Sequence, residues 1–421
     1  MKIAIENKIQ WFEATLNDVC VKITDGAHLS PKSVANGMPM ASVKDLTSYG
    51  INIDSCRQIT KEDYDKLVRQ GCQPLEGDVL IAKDGATALD TVCVVKKTSE
   101  VVLLSSVAIL RPDRAKIDSL FLRYYLDSET TRSYMKGAYT TGAAIPRVVL
   151  KDFKLASIKF ASLPIQRKIA AILSAYDDLI ENNLRRIKIL EEMAQNLYRE
   201  WFVKFRFPGH EQARFVDSPL GMIPEGWEVK KLGECCELIM GQSPKSSFYN
   251  EMGEGLPFHQ GVTNFGDRFP TDRVYCTVAD RIAEANDIML SVRAPVGRIN
   301  IALHRLVLGR GVSAVRARDG HQNFLFHQLK EVFSEEDLMG NGAIFKAVTK
   351  SDLTEIQLLH PALSMVEEFD GMVHSVDLQI KVLTSKNKSL RRTREMLLPR
   401  LISGEVDVSE LDIAIPEEAV A

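Results

Sequence analysis

One stretch of this sequence carries many arginines and no lysine. Residues 268–318 contain nine arginines against four acidic residues. The guanidinium group presents a planar fork of donors that fits phosphate oxygens and the acceptor edge of guanine. A solvated surface explains any single arginine here equally well, whereas the cluster as a whole favours a contact with nucleic acid. Six of these arginines lie in or beside strand-like segments and turns: Arg293, Arg298, Arg305, Arg310, Arg316 and Arg318.

Several polar loops carry amide, hydroxyl and basic side chains of the kinds that read base edges or hold phosphates. They span residues 24–28, 83–87, 139–142, 242–245 and 260–264. Turn chemistry alone also explains the composition of each loop, so both interpretations stay open. From these loops, the arginine cluster and neighbouring basic residues we select candidate DNA contacts. They are Thr24, His28, Lys32, Lys83, Thr87, Thr140, Thr141, Arg147, Gln242, Ser243, Lys245, Gln260, Asn264, Arg293, Arg298 and Lys346.

The sequence lacks the motifs of common cofactor-dependent and metal-dependent enzymes. It has no Gly-Lys dipeptide and hence no phosphate-binding loop, no G-x-G-x-x-G after a strand, and no histidine pair at metal-ligand spacing. A nuclease constellation could be assembled from Asp113, Asp152 and Lys154, but this loose spacing does not specify convergent carboxylates. The second half of the chain has Thr354 where that lysine would be needed. We therefore expect no catalytic site and no metal or cofactor on this chain, and we keep a nuclease as the less favoured alternative.

Length and composition set wider limits. The chain has 421 residues, of which 45% are hydrophobic, enough for two or three domains. Its net charge of −3 does not by itself indicate nucleic acid. The seven cysteines form no C-x-x-C pair, which fits a reducing compartment, and the first residues do not resemble a signal peptide. The longest apolar stretch, residues 101–110, is too short to cross a membrane and predicts one buried strand. We expect a cytoplasmic protein that does not bind membranes.

An internal repeat organises the chain. Residues 142–202 match residues 342–402 at a constant offset of 200, with Asp152 against Asp352 and Asp177 against Asp377. The upstream halves match more loosely, for example at Asp78-Val79 against Asp287-Ile288 and at Val107 to Arg111 against Val312 to Arg316. The period is too long for a solenoid. It predicts a duplicated unit that consists of a globular part followed by a helix.

The globular parts, about 10–150 and 226–350, contain short β-rich runs separated by Gly, Asn, Asp and Pro turns. Helical stretches lie among them at 119–128 and 322–333. The two long helices follow a strict a/d heptad pattern, which is typical of a coiled coil. Asn183 interrupts the first apolar series, and Asn387 and Arg394 interrupt the second. Pro399 is expected to end or kink the second helix, which would remove Leu401 from the core.

The two asparagines indicate how the helices pair. In a parallel arrangement each asparagine would face an apolar residue, at a cost of roughly 1–3 kcal/mol for each unpaired amide. In a centred antiparallel arrangement Asn183 faces Asn387, and both amides gain a partner. We therefore predict antiparallel helices whose register depends on Asn183 and Asn387. Helices of this length span about 50 Å at about 1.5 Å per residue, which suits a spacer.

Four segments of the sequence resemble the specificity (S) subunit of type I restriction–modification systems. Residues 163–173 (LPIQRKIAAIL) and 193–207 (MAQNLYREWFVKFRF) are similar to the two ends of the family's first helix. Residues 218–228 (SPLGMIPEGWE) resemble the entry to the second recognition domain, and 397–406 (LLPRLISGEV) the end of the second helix. The start of the second helix departs from the pattern, with Met365-Val366 in place of a glutamine.

The resemblance implies an α+β fold, with two mixed α/β target-recognition domains in pseudo-twofold arrangement, separated by two long antiparallel coiled-coil helices. We expect the first target-recognition domain at 1–150 and the first spacer helix region at 151–210. The second recognition domain is expected at 211–350, and the second spacer helix region with the C-terminal tail at 351–421. The implied function is recognition of a bipartite site in double-stranded DNA, with one half-site for each domain.

The resemblance also implies partners. Two methyltransferase subunits that use S-adenosylmethionine would dock on the helices, and restriction subunits, where two of them join, would add ATP- and Mg-dependent translocation and cleavage. Two further alternatives stay open, namely a related bipartite system without a separate restriction subunit and a coiled-coil scaffold without sequence preference. The residues that differ between the two globular parts favour two different half-sites over a bare scaffold.

Overall fold

The structure, a computed structural model, describes residues 9–85, 87–141, 146–334 and 347–415. The helices are α1 Leu16–Val19, α2 Lys61–Arg69, α3 Ser119–Asp127, α4 Glu129–Tyr139, α5 Leu150–Phe153, α6 Leu163–Tyr198, α7 Leu232–Cys235, α8 Gln322–Val332, α9 Lys350–Thr354 and α10 Leu363–Ile402. A π-helical turn, Arg199–Val203, continues α6. None of the helices in these ranges is both long enough and apolar enough to span a membrane.

The strands fall into two groups along the chain. Those before α6 are β1 Phe12–Thr15, β2 Cys20–Asp25, β3 Met38–Ala41, β4 Leu46–Thr47, β5 Gly50–Ile51, β6 Arg57–Ile59, β7 Val79–Ala82, β8 Val92–Val94, β9 Val102–Leu103, β10 Val107–Pro112, β11 Thr140–Thr141, β12 Arg147–Val148 and β13 Ser157–Phe160. Those after it are β14 Phe215–Ser218, β15 Gly221–Pro224, β16 Glu228–Lys231, β17 Cys236–Met240, β18 Tyr249–Asn250, β19 Leu256–His259, β20 Tyr275–Cys276, β21 Ile282–Ala283, β22 Ile288–Ser291, β23 Ile299–Ile301, β24 Leu306–Leu308, β25 Val312–Ala317 and β26 Gln357–His360.

The chain forms two compact units. The first comprises Met1–Arg185 with Thr384–Ala421, and the second comprises Arg186–Leu383. Both α6 and α10 therefore contribute residues to each unit. The division into four consecutive segments, 1–150, 151–210, 211–350 and 351–421, remains a prediction from the sequence.

The first unit is built around an antiparallel sheet of order β2-β10-β7-β8. Side chains alternate between the two faces of a strand. Ile81 and Leu110 accordingly join a core with Phe121 of α3 and Leu173 of α6, whereas Leu80 packs on the opposite face. That opposite face is covered by the small sheet β6-β3-β9, in which β3 and β9 are parallel.

The second unit repeats this topology. Its sheet has the order β17-β25-β22-β23, and a second sheet contains the parallel pair β19 and β24. Leu290 and Val315 pack against Leu329 of α8, while Met289 faces the side of β24. The mixed α/β composition and the duplication predicted from the sequence are confirmed.

The repeat also preserves one ion pair in each unit. In the first, Arg111 Nε and Nη2 donate to the two carboxylate oxygens of Asp78, at 2.7 and 2.8 Å. In the second, Arg316 makes the same two bonds to Asp287, both at 2.7 Å. Both aspartates are buried. A bidentate pair of this geometry satisfies a buried carboxylate and ties neighbouring strands together.

The two long helices pair antiparallel within each unit. In the first unit, Asp177 meets Arg394 and Asn183 meets Asn387, so positions later in α6 meet positions earlier in α10. In the second unit, Trp201 packs against Phe369, with ring centroids 6.3 Å apart, and Ala194 shares a core with Val373. The antiparallel direction predicted from Asn183 and Asn387 is confirmed.

Arg394 interrupts the apolar heptad series for a structural reason. Its guanidinium bonds Asp177, whose carboxylate also accepts from Arg123 Nη1 and from the Tyr124 hydroxyl, each at 2.8 Å. A buried carboxylate needs such partners, because leaving it unpaired in a dry interior is costly.

The expectations that Pro399 ends the helix and that Leu401 lies outside the core are wrong. The helix α10 continues through Pro399 to Ile402, and Leu401 is 1% exposed. Pro399 cannot donate to the carbonyl of Glu395 four residues earlier, and burial of the neighbouring apolar side chains in the core offsets that loss. Leu398, Leu401 and Ile402 instead join the core of the first unit together with Val408.

The apolar stretch 101–110 also differs from its prediction. It forms two strands, β9 and β10, and not one, because the chain turns at Ser105-Ser106. The turn moves the chain from the parallel pair with β3 into the main sheet beside β7.

The glutamine that differs between the two helix starts has a structural role in the first unit. Gln166 is fully buried, and its Nε2 donates to the carbonyls of Lys116 and Ala161 at 3.0 and 2.8 Å. Its Oε1 accepts from Asp118 N at 2.8 Å, and Asp118 in turn caps α3. The equivalent Val366 is buried in an apolar cluster of the second unit, so no such bonds are needed there.

Candidate nucleic-acid interface

The ends of the sheet strands meet in a common set of backbone hydrogen bonds in each unit, which we call the strand-end junction. In the first unit it comprises Gly26 N–Val107 O, Ala27 N–Leu103 O, Leu104 N–Ala41 O, Lys83 N–Ser106 O, Val107 N–Leu104 O and Val148 N–Lys83 O. In the second unit the same bonds are Gly241 N–Val312 O, Gln242 N–Leu308 O, Gly309 N–His259 O, Val292 N–Gly311 O, Val312 N–Gly309 O and Val348 N–Val292 O. Loops that are distant in the sequence therefore meet at one fixed place.

Each junction requires a glycine at the same position. A Cβ atom on Gly26 would lie 2.1 Å from Leu103 O, and one on Gly241 would lie 2.2 Å from Gly309 O. Real Cβ atoms do not approach backbone this closely, so only glycine permits the two loops to touch.

The first junction is charge-compensated. Lys83 Nζ donates to Asp25 Oδ2 at 2.7 Å, and Lys83 is only 6% exposed. His28 contacts the other oxygen of Asp25 at 3.2 Å, and Arg147 Nε lies 3.2 Å from Asp84 Oδ1. His28 and Arg147 are exposed, whereas Lys83 is committed to its buried pair. Lys83 is therefore not among the residues that we propose to contact DNA.

The second junction has a different chemistry on the same backbone. The strand register aligns Met240 with Asp25, and the equivalent junction bonds align Val292 with Lys83. An apolar pair thus replaces the ion pair. Arg293 and Gln242 are exposed here, as is Gln260, whose carbonyl accepts from Gly311 N. Ser243 is partly buried, and its hydroxyl accepts from Arg310 N at 3.2 Å.

The remaining candidates lie near these junctions or on other loops. Thr24 precedes Asp25, the last residue of β2, and Thr87 is exposed in the loop after β7. Thr140 follows α4 and donates its hydroxyl to Lys136 O. Four candidates lie on other surface loops, of which Asn264 is partly buried and the rest are exposed: Lys32, Lys245, Asn264 and Arg298. The side chain of Thr141 and the whole of Lys346 lie outside the described residues.

Some arginines of the cluster form ion pairs within the second unit, and others are exposed. Arg268 is buried, bonds Asp377 and lies over the Phe326 ring at 4.4 Å. Arg316 holds Asp287, and Arg305 pairs with Glu284 at 3.2 Å. Arginine suits all of these roles, so sequence composition alone cannot separate them. Arg293 and Arg310 are exposed at the junction.

Sequence analysis did not single out Ser105 as the counterpart of Arg310. The signal was present, because the aligned segments starting at Val107 and Val312 place Ser105 opposite Arg310. Only the junction bonds show that both residues lie at the point where the loops meet.

No group of three or more His, Cys, Asp or Glu side chains in the described ranges is arranged to hold a metal ion. The seven cysteines are free thiols. Burial raises the pKa of Cys20, Cys93 and Cys236 to about 12, so these thiols stay protonated and are not nucleophiles at neutral pH.

Comparisons with known proteins agree with this architecture. The family model of the type I restriction modification DNA specificity domain matches residues 8–192 and 224–390. A Methanocaldococcus jannaschii protein assigned as the MjaX specificity subunit of a type I restriction enzyme is 29% identical over 409 residues, which cover 94% of each chain. The MjaIX specificity subunit of the same organism is 25% identical over 305 residues, 70% of each chain.

A solved structure supports the same fold. The S subunit of a type I restriction–modification system from M. genitalium aligns with a TM-score of 0.57 at 17% identity, over 94% of this chain and 97% of that one. Two matches to the same family model, one in each half of the chain, also agree with the internal repeat. The chain therefore belongs to the type I restriction modification DNA specificity domain family.

Proposed function

We propose that this chain is the DNA-recognition subunit of a type I restriction–modification complex, in which each unit reads one half of a bipartite site. One observation carries the proposal. The same strand-end junction occurs in both units, with identical backbone bonds but different side chains. A shared rigid frame with different side chains suits two readers of two different sequences.

The side chains at the junctions are of the kinds that contact DNA. Arginine and glutamine make bidentate bonds to guanine and adenine in the major groove, and hydroxyl and basic groups bind phosphates. Exposed candidates of these kinds include His28 and Arg147 in the first unit, and Gln242, Gln260 and Arg293 in the second. Double-stranded DNA is therefore the ligand that fits the junctions best.

The chain acts without a catalytic site of its own in this proposal. Two methyltransferase subunits supply the S-adenosylmethionine-dependent chemistry, and two restriction subunits, where present, supply ATP- and Mg-dependent cleavage. The relatives are specificity subunits of restriction enzymes, which supports this division. We place the complex in the cytoplasm, where reduced cysteines are expected.

Exposed apolar residues on the helices of the second unit suit a docked protein. Ile189 is 54% exposed, Met193 59% and Val382 51%. Ile189 and Met193 are four residues apart and therefore lie on one face of α6, beside the heptad core positions. We propose that a methyltransferase subunit covers them. Ile189→Asp with Val382→Asp should reduce co-purification of the methyltransferase, whereas Lys188→Asp on the same helix should not.

The two long helices set the spacing between the half-sites in this proposal. Two half-sites read from one face of a duplex lie about one helical turn apart, about 10–10.5 bp centre to centre, or somewhat more. The buried Asn183–Asn387 pair supports a fixed helix register.

The test is a selection from random duplexes with the chain bound to its methyltransferase partner. We expect a split motif with a constant gap, and shortening both helices should change the gap. A single contiguous motif would contradict two independent readers. Enrichment of no motif, with affinity falling uniformly as salt rises, would leave only a non-specific scaffold.

A further inference from the structure

The backbone around Arg310 is held from several sides. Arg310 N donates to Ser243 Oγ at 3.2 Å, Gly309 N to His259 O at 2.9 Å, and Gly311 N to Gln260 O at 3.0 Å. Val292 N donates to Gly311 O at 3.0 Å. The Cα atom of Arg310 is therefore fixed by the loops that end β17, β19 and β22.

The residues on both sides of Arg310 leave no room for alternative packing. A Cβ atom on Gly309 would lie 2.5 Å from the Gln260 Cα atom, and one on Gly311 would lie 2.5 Å from Gln260 O. Close backbone contact of this kind makes the turn rigid. A rigid turn loses little entropy when its side chain binds a ligand.

The guanidinium of Arg310 has no acidic partner among the residues that the structure describes. Arg268, Arg305 and Arg316 in the same unit each pair with a carboxylate. Arg310 is exposed, and it is flanked at the junction by the exposed side chains of Gln242 and Gln260. An uncompensated charge on a fixed backbone is suited to an electronegative ligand from outside the chain.

The equivalent position in the first unit has a different character. Ser105 takes the place of Arg310, and Ser105 N donates to Ala27 O at 2.9 Å. The charges around the first junction are paired, as Lys83 with Asp25 and Arg147 with Asp84. The two junctions therefore offer different donors from the same place in the fold.

We propose that Arg310 is a specificity-determining residue that recognises guanine, through O6 and N7 in the major groove, in the half-site read by the second unit. The inference rests on the proposed function, because it names the base that one of its two readers selects. The planar fork of arginine is the side chain that most often makes this bidentate contact. Arg310 belongs to the arginine cluster that the sequence shows, but it was not selected there as a candidate DNA contact.

The test compares the selected motifs of Arg310→Ala and the unaltered chain, each bound to the methyltransferase partner. We expect one guanine position in one half of the split motif to lose its preference by roughly 5- to 150-fold, the range of one bidentate contact. The other half of the motif and the gap should stay the same. Arg305→Ala is the matched control, because it removes the same charge from the other end of β24 and should leave every position unchanged.

Arg310→Lys separates charge from geometry. It keeps the positive charge but lacks the fork, so guanine preference should fall while non-specific affinity stays close to that of the unaltered chain. This variant also serves if Arg310→Ala does not fold. An unchanged motif in both variants would overturn the inference. Uniformly weaker binding of Arg310→Ala, but not of Arg310→Lys, would then place Arg310 on a phosphate. If the unaltered chain selects no split motif, the proposed function fails, which is a distinguishable result.

Discussion

The side-chain amide of Asn183 donates to the side-chain oxygen of Asn387 over 2.8 Å, with both residues buried between α6 and α10. The amide of Asn387 reaches the carbonyl of Ile180 at 3.4 Å. Other positions of the seam, such as Ile180, are apolar. Sliding either helix by one heptad would bury both amides without partners, so this pair favours one register over its neighbours.

Replacing one member of the pair should cost stability. Asn183→Leu leaves the Asn387 amide without its side-chain partner, and we expect the free energy of unfolding to fall by about 1–3 kcal/mol. Urea denaturation of the variant and the unaltered chain measures the difference. The double variant with Asn387→Leu should regain most of that stability, because two leucines fit an apolar seam.

In the double variant, the gap between the two half-sites should nevertheless be less precisely defined. Without the buried amides, alternative helix registers differ less in energy. In the duplex selection we expect a wider spread of gap lengths between the half-sites. A single sharp gap in the double variant would show that other contacts, such as Arg394 with Asp177, fix the register alone.

The pair Lys83 and Asp25 allows a second test, because the other unit shows its apolar replacement. Lys83→Val alone leaves the partly buried Asp25 carboxylate with only His28 beside it, and removing one partner of a pair of this kind costs up to about 3–5 kcal/mol. The double variant Asp25→Met with Lys83→Val copies Met240 and Val292 and should fold with stability close to that of the unaltered chain. Thermal unfolding of both variants provides the measurement, and equal destabilisation of the two would contradict the assigned equivalence.

Periodic features of this protein can be predicted from its sequence, whereas contacts between distant segments cannot. The heptad pattern and the repeat are visible in the sequence because they follow periodic positions, and both predicted the helices and the duplicated fold. The role of a charged residue depends on the partner that the fold brings to it from another part of the chain. Arg316 and Lys83 carry the same positive charge as Arg293, yet Asp287 and Asp25 bind them from other segments of the chain.

Contacts from a distant segment also explain why α10 continues through Pro399. A proline normally ends a helix, but the segment around Val408 packs against the last turn of α10 and keeps Leu401 in the core. Lys168 Nζ contributes to this arrangement by donating to the carbonyls of Ser409 and Leu411 at 2.7 and 2.8 Å. Tertiary contacts of this kind override local preference and cannot be read from a single segment.

The glycine at the second junction gives a third prediction. Gly241→Ala places a Cβ atom against Gly309 O, so the loops must separate, at a cost of roughly 1–3 kcal/mol for an overpacked contact. We expect the half of the motif read by the second unit to weaken, while the other half persists in the duplex selection. Gly261→Ala is the matched control, because a Cβ atom there meets nothing within 4 Å.

The buried histidine of α8 predicts an acid-dependent loss of stability in the second unit. Burial, reinforced by Arg268 and Lys330, lowers the pKa of His327 to about 3 from its ordinary 6.5. The folded state therefore keeps the ring neutral, while the unfolded chain takes up a proton below pH 6.5. The contribution of this group to stability is complete above that pH and declines as the pH falls toward 3, by at most about 1.4 kcal/mol per pH unit.

Denaturant unfolding measured across this pH window should give a shallower dependence of the unfolding free energy on pH for His327→Phe. That variant also loses the 2.8 Å contact with Gln195 and starts from a lower stability. Equal slopes in the two proteins would mean that His327 is protonated in the folded state as readily as in the unfolded chain.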